Sequence, residues 1–314
     1  MTPGRKTMIR KSYAALVLAG VISAILPGGA MADGVGSTGA QFLEIGIGAR
    51  ALAMGGAFSA VADNNDANSA LWNPGSLAQV RERSVTTSYS SLFLDENQGY
   101  LGYAQQMLGG TVALGVDYLG VSNIETRTSD TETPDSTISN GNMAVVASYA
   151  RPDVMKGLSL GVNVKYIRET LDSYFTYNAA AADVGALYQT PIDKLTAGFS
   201  VQNLGTKIGP DPLPMLVKTG AAYKVSSPFT LAMDGDWYPV DQRAFLDVGA
   251  EVWLHPSLAL RGGYKFGQAQ DELGGAAGLS GGAGLKFGRF TLDYAFVPFG
   301  DMGNTQRMTM GYSF

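Results

Sequence analysis

Residues 158–166 read LSLGVNVKY. One face of this segment is apolar and consists of Leu158, Leu160, Val162, Val164 and Tyr166. Small or polar residues occupy the positions between them. A period of two with a single apolar face predicts a half-buried β-strand. Its length is close to the ~9–11 residues that a tilted strand needs to cross a bilayer.

The same alternation recurs over most of the chain. We predict fourteen strands, at about 84–92, 98–107, 111–126, 141–151, 158–170, 176–190, 195–204, 215–225, 229–239, 244–254, 258–267, 278–287, 290–298 and 305–314. No segment after Leu26 approaches the 18 consecutive apolar residues of a membrane-spanning helix. The pattern predicts an all-β fold, a transmembrane antiparallel β-barrel of about 14 strands.

The lengths of the connections alternate with strand number. Links after even-numbered strands are short, such as 108–109 and 255–257, whereas those after strands 3, 7 and 11 are longer and polar. Outer-membrane barrels have short turns on the periplasmic side and longer loops outside. With an even strand count, this asymmetry predicts that both termini lie in the periplasm.

Twelve charged residues fall on the face that a barrel would turn inward. They are Asp117, Lys165, Asp183, Lys218, Asp234, Asp236, Asp247, Glu251, Arg261, Lys265, Asp293 and Arg307. Acids and bases are nearly balanced, while a selective porin would carry a constriction of one sign. Charges away from water need partners. We therefore predict ion pairs in a narrow, plugged interior rather than an open channel; ordinary surface charge on a soluble two-faced sheet is the alternative.

Small residues dominate residues 39–80, which precede the first predicted strand. Such residues permit close backbone approach, as a compact plug inside a barrel requires. We assign residues 33–82 to an N-terminal plug, or hatch, and 83–314 to the barrel. The residues that mark the plug are Gly55, Gly56, Asp63, Trp72, Asn73 and Pro74.

The plug segment also carries a family resemblance. The run 49–58, ARALAMGGAF, followed by Ala62-Asp63 and by WNPGSL at 72–77, resembles the N-terminal signature of PorV/PorQ-type outer-membrane proteins. It is similar, more distantly, to the hatch of FadL-type transporters. These families usually have Ala-Gly where this chain has Gly75-Ser76, an exchange of small residues. The resemblance implies a barrel without catalysis that takes part in type IX or related protein secretion.

Two other motifs in the plug segment have a simpler interpretation. Residues 46–51, GIGARA, fit a loose dinucleotide-binding pattern, but no strand–helix alternation follows. Residues 63–68, DNNDAN, resemble a calcium loop, but Ala67 stands at a ligand position and no closing Glu follows. Turn and capping chemistry explains the second motif better.

The first 32 residues are typical of a cleaved signal peptide. A basic start is followed by the apolar segment 14–26 and by the small-x-small site Ala30-Met31-Ala32. The alternative is an uncleaved anchor. Cleavage would leave 18 basic and 27 acidic residues, a formal charge of −9, so nucleic acid is an unsuitable partner. The absence of Cys excludes disulfides, thiolate metal sites and a lipidated Cys.

Chemistry-bearing motifs are sparse. The single histidine, His255, lies in a predicted turn with no partner implied by spacing, and Ser280 lacks the nucleophile-elbow pattern. We predict no enzyme activity, cofactor or metal. The C-terminal residues Tyr312 and Phe314 resemble the signal that the barrel-assembly machinery recognises; an ordinary last strand is the alternative.

These observations lead to three functional hypotheses. The first is an accessory, cargo-handling or scaffold component of type IX-like secretion in the outer membrane, with secreted protein or other subunits as partners. Its partner surface would be the outer loops, above all 128–140 with Asp130, Glu132 and Asp135. The second is a FadL-like diffusion channel for hydrophobic small molecules, and the third is a general porin.

Overall fold

The computed structural model describes residues 36–62, 66–93, 95–130, 132–171, 175–268, 276–299 and 303–314. Fourteen strands form within these ranges. They are β1 (Ser84–Ser91), β2 (Asn97–Met107), β3 (Gly110–Thr126), β4 (Ser136–Met155), β5 (Leu158–Leu171), β6 (Phe175–Gln189), β7 (Leu195–Gly205), β8 (Leu216–Ser226), β9 (Phe229–Tyr238), β10 (Arg243–His255), β11 (Leu258–Phe266), β12 (Leu279–Phe287), β13 (Phe290–Pro298) and β14 (Asn304–Ser313). The predicted all-β fold is confirmed.

The strands form a closed antiparallel barrel. Each strand pairs with its neighbour in sequence, and β1 pairs with β14, so that Ser84 lies opposite Ser313 and Ser91 opposite Gln306. Closure gives each strand a paired neighbour on both sides within the barrel wall. The barrel therefore satisfies its own backbone hydrogen bonds, as a β-structure in lipid must.

Side chains alternate between the two faces of the wall as the period of two predicts. On β5, Val162 and Val164 are 46% and 62% exposed, whereas Asn163 and Lys165, each the next residue along the strand, are buried. Apolar side chains thus cover the outside and polar ones line the inside. This is the arrangement of a barrel whose outer surface meets lipid.

The two ends of the barrel differ. Connections of two to five residues join β2 to β3 and the other even-numbered strands to their successors. Leu108 and Gly109 form one of them with φ values of 58° and 73°, the conformation of a two-residue hairpin turn. The opposite end carries the longest connections, which span 127–135, 206–215 and 267–278. We call these the short-turn end and the long-connection end.

The hairpin of β3 and β4 is longer than predicted. β4 begins at Ser136 rather than near residue 141 and ends at Met155 rather than near 151. Beyond Gly120, which pairs with Asn97, and Gly141, which pairs with Thr170, the hairpin continues without a paired neighbour from β2 or β5. Residues 136–140 are mostly polar, so hydropathy alone does not identify them as strand. The hairpin projects from the long-connection end.

The described residues of the segment 38–80 lie inside the barrel and contain short helical turns. The described turns are two 3₁₀ turns, Gln41–Glu44 and Pro74–Gln79, and two α-helical turns, α1 (Ala49–Ala53) and α2 (Ser69–Trp72). α1 packs against β11 to β14, and the second 3₁₀ turn packs against β3 to β7. We call residues 36–83 the plug.

The plug begins at the long-connection end. Thr38 donates hydrogen bonds to Asp241 between β9 and β10, and Gly39 donates its N–H to Pro212 between β7 and β8. Val61 reaches the short β6–β7 turn, and Phe314 lies at that same end, where its N–H bonds to Arg83. The loop lengths predict both termini at the short-turn end, whereas residues 36–62 cross the interior once. The predicted signal peptide and Asp33 lie outside the described residues.

Candidate functional site

Two plug glycines lie directly against wall backbone. Gly55 and Gly56 have φ values of +69° and +89°, which L side chains rarely adopt. A Cβ on Gly55 would lie 2.8 Å from the Tyr264 nitrogen, and one on Gly56 would lie 2.7 Å from the Asp247 carboxylate. On the wall side, a Cβ on Gly263 would lie 2.1 Å from the Gly55 nitrogen. Plug and wall therefore approach to a distance that only glycine permits.

Asn73 and Pro74 anchor the plug to β5 and β6. The Asn73 amide donates to the carbonyls of Ser59 and Ala186 at 2.7 and 2.9 Å, and its Oδ1 accepts the Gly75 N–H. Asn73 thus caps the 3₁₀ turn that starts at Pro74. Its side chain is fully buried, and all its polar groups have partners.

Trp72 holds two parts of the plug together. Its indole N–H donates to the Ile47 carbonyl at 2.8 Å, and its ring packs edge-on against Phe58 at 6.2 Å between centroids. The Lys218 ammonium lies 5.3 Å from the centre of the ring. The indole therefore fixes the plug and shields a wall cation. Asp63, the remaining plug residue of the sequence prediction, lies outside the described residues.

The first charge cluster joins β8, β9, β10 and β11. The Lys218 ammonium is 2.6 Å from Asp236 and 3.6 Å from Asp234, and Lys265 pairs with Asp247 at 2.8 Å. Asp234 also accepts two plug N–H groups, those of Phe58 at 2.9 Å and Ser59 at 2.8 Å. A wall carboxylate therefore fixes the plug backbone while the neighbouring cation offsets its charge.

The second charge cluster is a chain of four groups. Arg50 on the plug pairs with Glu251 at 2.7 Å, Glu251 pairs with Arg261 at 2.7 Å, and Arg261 pairs with Asp293 at 2.6 Å. The two acids and two bases are balanced. Arg50 comes from helix α1, so the cluster links the plug to β10, β11 and β13.

A third group of polar residues lies around β5 and β6. Asp183 pairs with Lys165 at 2.8 Å and accepts a hydrogen bond from the Asn163 amide at 2.7 Å. Its other oxygen accepts the N–H of Asn203, which adopts a φ of 60° where the pairing of β6 and β7 is irregular. Asp117 accepts a longer hydrogen bond, 3.3 Å, from Gln98.

Arg307 differs from the other inward charges. It is 4% exposed, and its Nη1 donates to the Gly46 carbonyl of the plug at 2.9 Å. Among the residues that the structure describes it forms no ion pair, and its buried Nε has no hydrogen-bond partner. Within the described ranges, this buried cation therefore has no carboxylate partner.

The structure places all twelve predicted inward charges in the interior, eleven of them buried and Lys265 half-buried. Several interior polar residues are not among the twelve predicted charges. These are Arg50, Gln98, Asn163, Gln202, Asn203 and Thr309. Asn163 and Gln202 donate to plug carbonyls, and both occupy inward positions of their strands. Strand alternation places such residues on the inward face by the same signal as the charges, but it does not report what they contact.

Tyr312 and Phe314 lie at the short-turn end, next to the junction of β14 and β1. Their rings are 5.6 Å apart, and they extend an aromatic row through Tyr103 and Phe290. The Phe314 side chain is 42% exposed. Amphipathic aromatic rings of this kind are typical of the interface between membrane and water. Recognition of these residues by assembly machinery stays a prediction.

Cavities lie on both sides of the plug. At the long-connection end lies a cavity of about 680 Å³, the outer cavity. Plug residues between 38 and 46 form one of its walls. It continues into a central chamber of about 120 Å³ beside Trp72. Cavities of about 620 and 530 Å³ lie towards the short-turn end. Within the described part of the chain, neither of these two shares a lining residue with the outer cavity or the central chamber.

Neither a metal site nor a spanning helix occurs in the described ranges. No three His, Asp or Glu side chains are placed to hold a metal ion. None of the helices there has the length and hydropathy that crossing a membrane requires.

Comparison with solved structures shows the same fold in known barrels. The chain resembles the toluene transporter TbuX of Ralstonia pickettii with a TM-score of 0.60 and 13% identity, over 86% of this chain and 98% of that one. It resembles the toluene transporter TodX of P. putida with a TM-score of 0.56 and 11% identity, over 86% and 99%. The monoaromatic hydrocarbon channel CymD gives 0.56 and 14%, over 86% and 98%.

Comparison of sequences identifies the family. No curated protein matches the chain. The family described as "Type IX secretion system protein PorV" matches residues 30–236, about two thirds of the sequence. That range covers the plug and the barrel strands from β1 into β9. The chain is an outer-membrane β-barrel protein and belongs to the PorV family.

Proposed function

We propose that this protein is a non-enzymatic accessory component of type IX protein secretion that binds exported cargo or other secretion subunits at its long-connection end. The proposal includes export by a signal peptide cleaved after Ala32, with the short-turn end in the periplasm. One observation carries it. The plug lies between the cavities at the two ends, and these cavities share no lining residue within the described chain. A barrel of this kind offers surfaces for binding rather than a wide passage.

The number and strength of the plug contacts support a fixed plug. Asp234, Glu251 and Asn73 each join plug and wall through buried, short hydrogen bonds or ion pairs. Breaking buried pairs of this kind is strongly unfavourable, because each leaves an uncompensated charge or polar group. A general porin needs an open lumen, so this interior argues against that role.

The projecting β3–β4 hairpin supports a partner surface at the long-connection end. Its connection exposes Asp130, Glu132 and Asp135. Other carboxylates near the same end are Asp95, Glu96, Glu169 and Asp211, together with Glu125, which pairs with Arg127. Acidic surfaces of this kind steer and select partners of complementary charge.

The test uses site-specific photo-crosslinking in intact cells of the native host. A crosslinker at position 130 or 132 is expected to capture secreted cargo or secretion subunits, and D130N/E132Q is expected to weaken capture and retain cargo in the periplasm. The matched controls are a crosslinker at position 153 and D153N, an exposed carboxylate at the short-turn end. Unchanged export and equal capture at both ends would contradict the proposal.

A second candidate function is a conduit for hydrophobic small molecules. The observation in its favour is the outer cavity, whose walls include Phe42, Leu92 and Phe299. Flux of a labelled hydrocarbon into proteoliposomes containing the mature chain is expected under this hypothesis. Under the first hypothesis the plug blocks such flux, and the protein captures cargo although no hydrocarbon passes through it.

A further inference from the structure

Lys218 is a fully buried lysine whose side-chain nitrogen has few hydrogen bonds. The residue is 2% exposed, and an ammonium group carries three N–H donors. Among the described residues its only hydrogen bond goes to the Gly56 carbonyl, at 3.4 Å. Lys165, the other buried lysine of the described ranges, donates to Asn203 at 2.7 Å and pairs with Asp183 at 2.8 Å. A buried ammonium with unused donors is costly, which sets Lys218 apart from Lys165.

The Lys218 nitrogen lies against the carboxyl group of Asp236. The two residues are opposite each other on β8 and β9, and Nζ lies 2.6 Å from the Asp236 Oδ1. That oxygen accepts no hydrogen bond within the described ranges, so this short contact does not have the angles of a hydrogen bond. The carboxyl carbon is one bond from Oδ1, and reacting atoms in a near-attack geometry are ~3–3.5 Å apart. The nitrogen is therefore positioned to attack the carboxyl carbon.

The surroundings of this pair exclude bulk water and contain further carboxylates. The Trp72 ring centre lies 5.3 Å from the Lys218 nitrogen, and Asp236 is 3% exposed. Asp234 and Asp247 lie 3.6 and 3.9 Å from the same nitrogen. The nearer oxygen of Asp234 already accepts two plug N–H groups, which leaves Asp247 as the carboxylate that can take up a proton.

The central chamber lies beside the pair and can receive a small product. Lys218 and Asp236 both line this chamber, which has a volume of about 120 Å³. A water molecule occupies ~30 Å³ in the liquid, so the chamber has room for a water released from the pair.

We propose that Lys218 and Asp236 join in an intramolecular isopeptide bond that links β8 to β9. The Lys218 ammonium gives one proton to Asp247, and the resulting amine attacks the Asp236 carboxyl carbon. A C–N bond forms and one C–O bond breaks. The oxygen leaves as water, with one proton returned by Asp247 and a second lost from the nitrogen.

The reaction balances without any further reactant. One ammonium and one carboxylate become one neutral amide and one water molecule, so neither an oxidant nor a cofactor is needed. The amide keeps a single N–H, and the Gly56 carbonyl is there to accept it. The bond removes two charges from the interior and leaves no unused donor. This inference goes beyond the proposed function, because it concerns the maturation of the folded chain and needs neither cargo nor a secretion system.

The test is the intact mass of the mature chain, purified from outer membranes and denatured before mass spectrometry. We expect the wild-type chain to be lighter than its sequence by the mass of one water molecule. Trypsin should then fail to cleave after Lys218, so that peptide 208–224 is recovered joined to peptide 225–243. Fragmentation of this branched peptide should place the bond on Asp236 and not on Asp234.

Lys165 is the internal control in the same digest. Its nitrogen is buried next to a carboxylate, as that of Lys218 is, but it has short hydrogen-bond and ion-pair partners. We expect cleavage after Lys165 and release of the linear peptide 157–165.

Three variants distinguish the bond from other losses of water. K218R keeps the charge but cannot form this amide, and D236A removes the carbon that is attacked, so both should have the full sequence mass. D247N should slow formation of the bond at least about a hundredfold after refolding in detergent, because proton transfer by a positioned carboxylate contributes about that factor.

A folded wild-type chain with the full sequence mass would overturn the proposal. So would a lighter chain that trypsin still cleaves after Lys218, a loss of water that persists in K218R, or an unchanged rate of bond formation in D247N.

Discussion

Single residues decide how closely the plug and the wall approach. A Cβ on Gly263 would overlap the backbone of Met54 and Gly55, at 2.2 and 2.1 Å, and backbone cannot swing aside as a side chain can. The next residue, Gly262, points away from the plug, and a Cβ there would meet its nearest atom only at 4.0 Å. Two neighbouring glycines in one strand thus have different roles.

We expect Gly263→Ala to destabilise the folded barrel by at least about 1–3 kcal/mol, because it forces plug and wall apart. Gly262→Ala should change the free energy of unfolding by no more than about 0.5 kcal/mol. Urea unfolding in nanodiscs, followed by tryptophan fluorescence, measures both. Equal stability of the two variants would show that the Gly263–Gly55 contact has no energetic role.

Charge pairing at single residues gives a second prediction. Glu251 is shared by Arg50 on the plug and Arg261 on the wall, and it is almost fully buried. Glu251→Gln should cost about 3–5 kcal/mol, since it leaves buried guanidinium groups without that charge. The control is Glu125→Gln, which breaks an exposed 2.7 Å pair with Arg127 and should cost at most about 1 kcal/mol. The same unfolding measurement compares the two variants. Similar losses of unfolding free energy would show that the buried pairs of Glu251 with Arg50 and Arg261 do not stabilise the fold.

At the scale of elements, the β3–β4 connection is held by its own short-range contacts. Asp135 accepts hydrogen bonds from the Thr128 hydroxyl and from the Thr128 N–H, at 2.7 and 2.6 Å. These two bonds hold the pKa of the Asp135 carboxyl below its usual range. A local carboxylate cap, rather than burial, therefore joins Thr128 to Asp135.

We expect Asp135→Asn to loosen this connection and to speed tryptic cleavage after Arg127 at pH 8, with Asp130→Asn as the control at an exposed site. Because the folded pKa is lowered, the cap contributes fully above the ordinary Asp pKa and is lost as the pH falls through the lowered value. A ¹³C titration of the Asp135 carboxyl checks the sign. A midpoint above the ordinary Asp value would contradict the assignment.

The elements themselves were largely predictable. All fourteen strands occur where alternation predicts them, because side-chain alternation is a local property of the extended chain. The main discrepancy is β4, whose polar residues 136–140 pair with β3 beyond the apolar belt. Hydrogen bonding across the hairpin, which hydropathy does not report, stabilises this extension.

At the scale of the whole molecule, the path of the plug distinguishes the two ends of the barrel. The described chain starts at the long-connection end, passes through the interior and enters β1 from the short-turn end. If the short turns face the periplasm, Ser37 and residue 130 face the cell exterior, while Lys156 and Arg289 face the periplasm. All four positions are exposed.

The chain has no cysteine, so single-cysteine variants test this orientation directly. We expect S37C and D130C to react with a membrane-impermeant maleimide on intact cells. K156C and R289C should react only after the outer membrane is permeabilised. Labelling of K156C on intact cells would reverse the orientation, and protection of S37C alone would place the start of the plug elsewhere.

The sequence by itself determined the barrel, its strand count and the set of charges that face inward, since each follows from a period of two that acts residue by residue. It also marked the plug through its small residues and its family signature. Only the tertiary structure decided which charges meet: Arg50 with Glu251, Lys218 with Asp236, and Arg307 with no carboxylate in the described chain. Those pairings depend on strand register and on the course of the plug through the interior, which are long-range properties that no local pattern encodes.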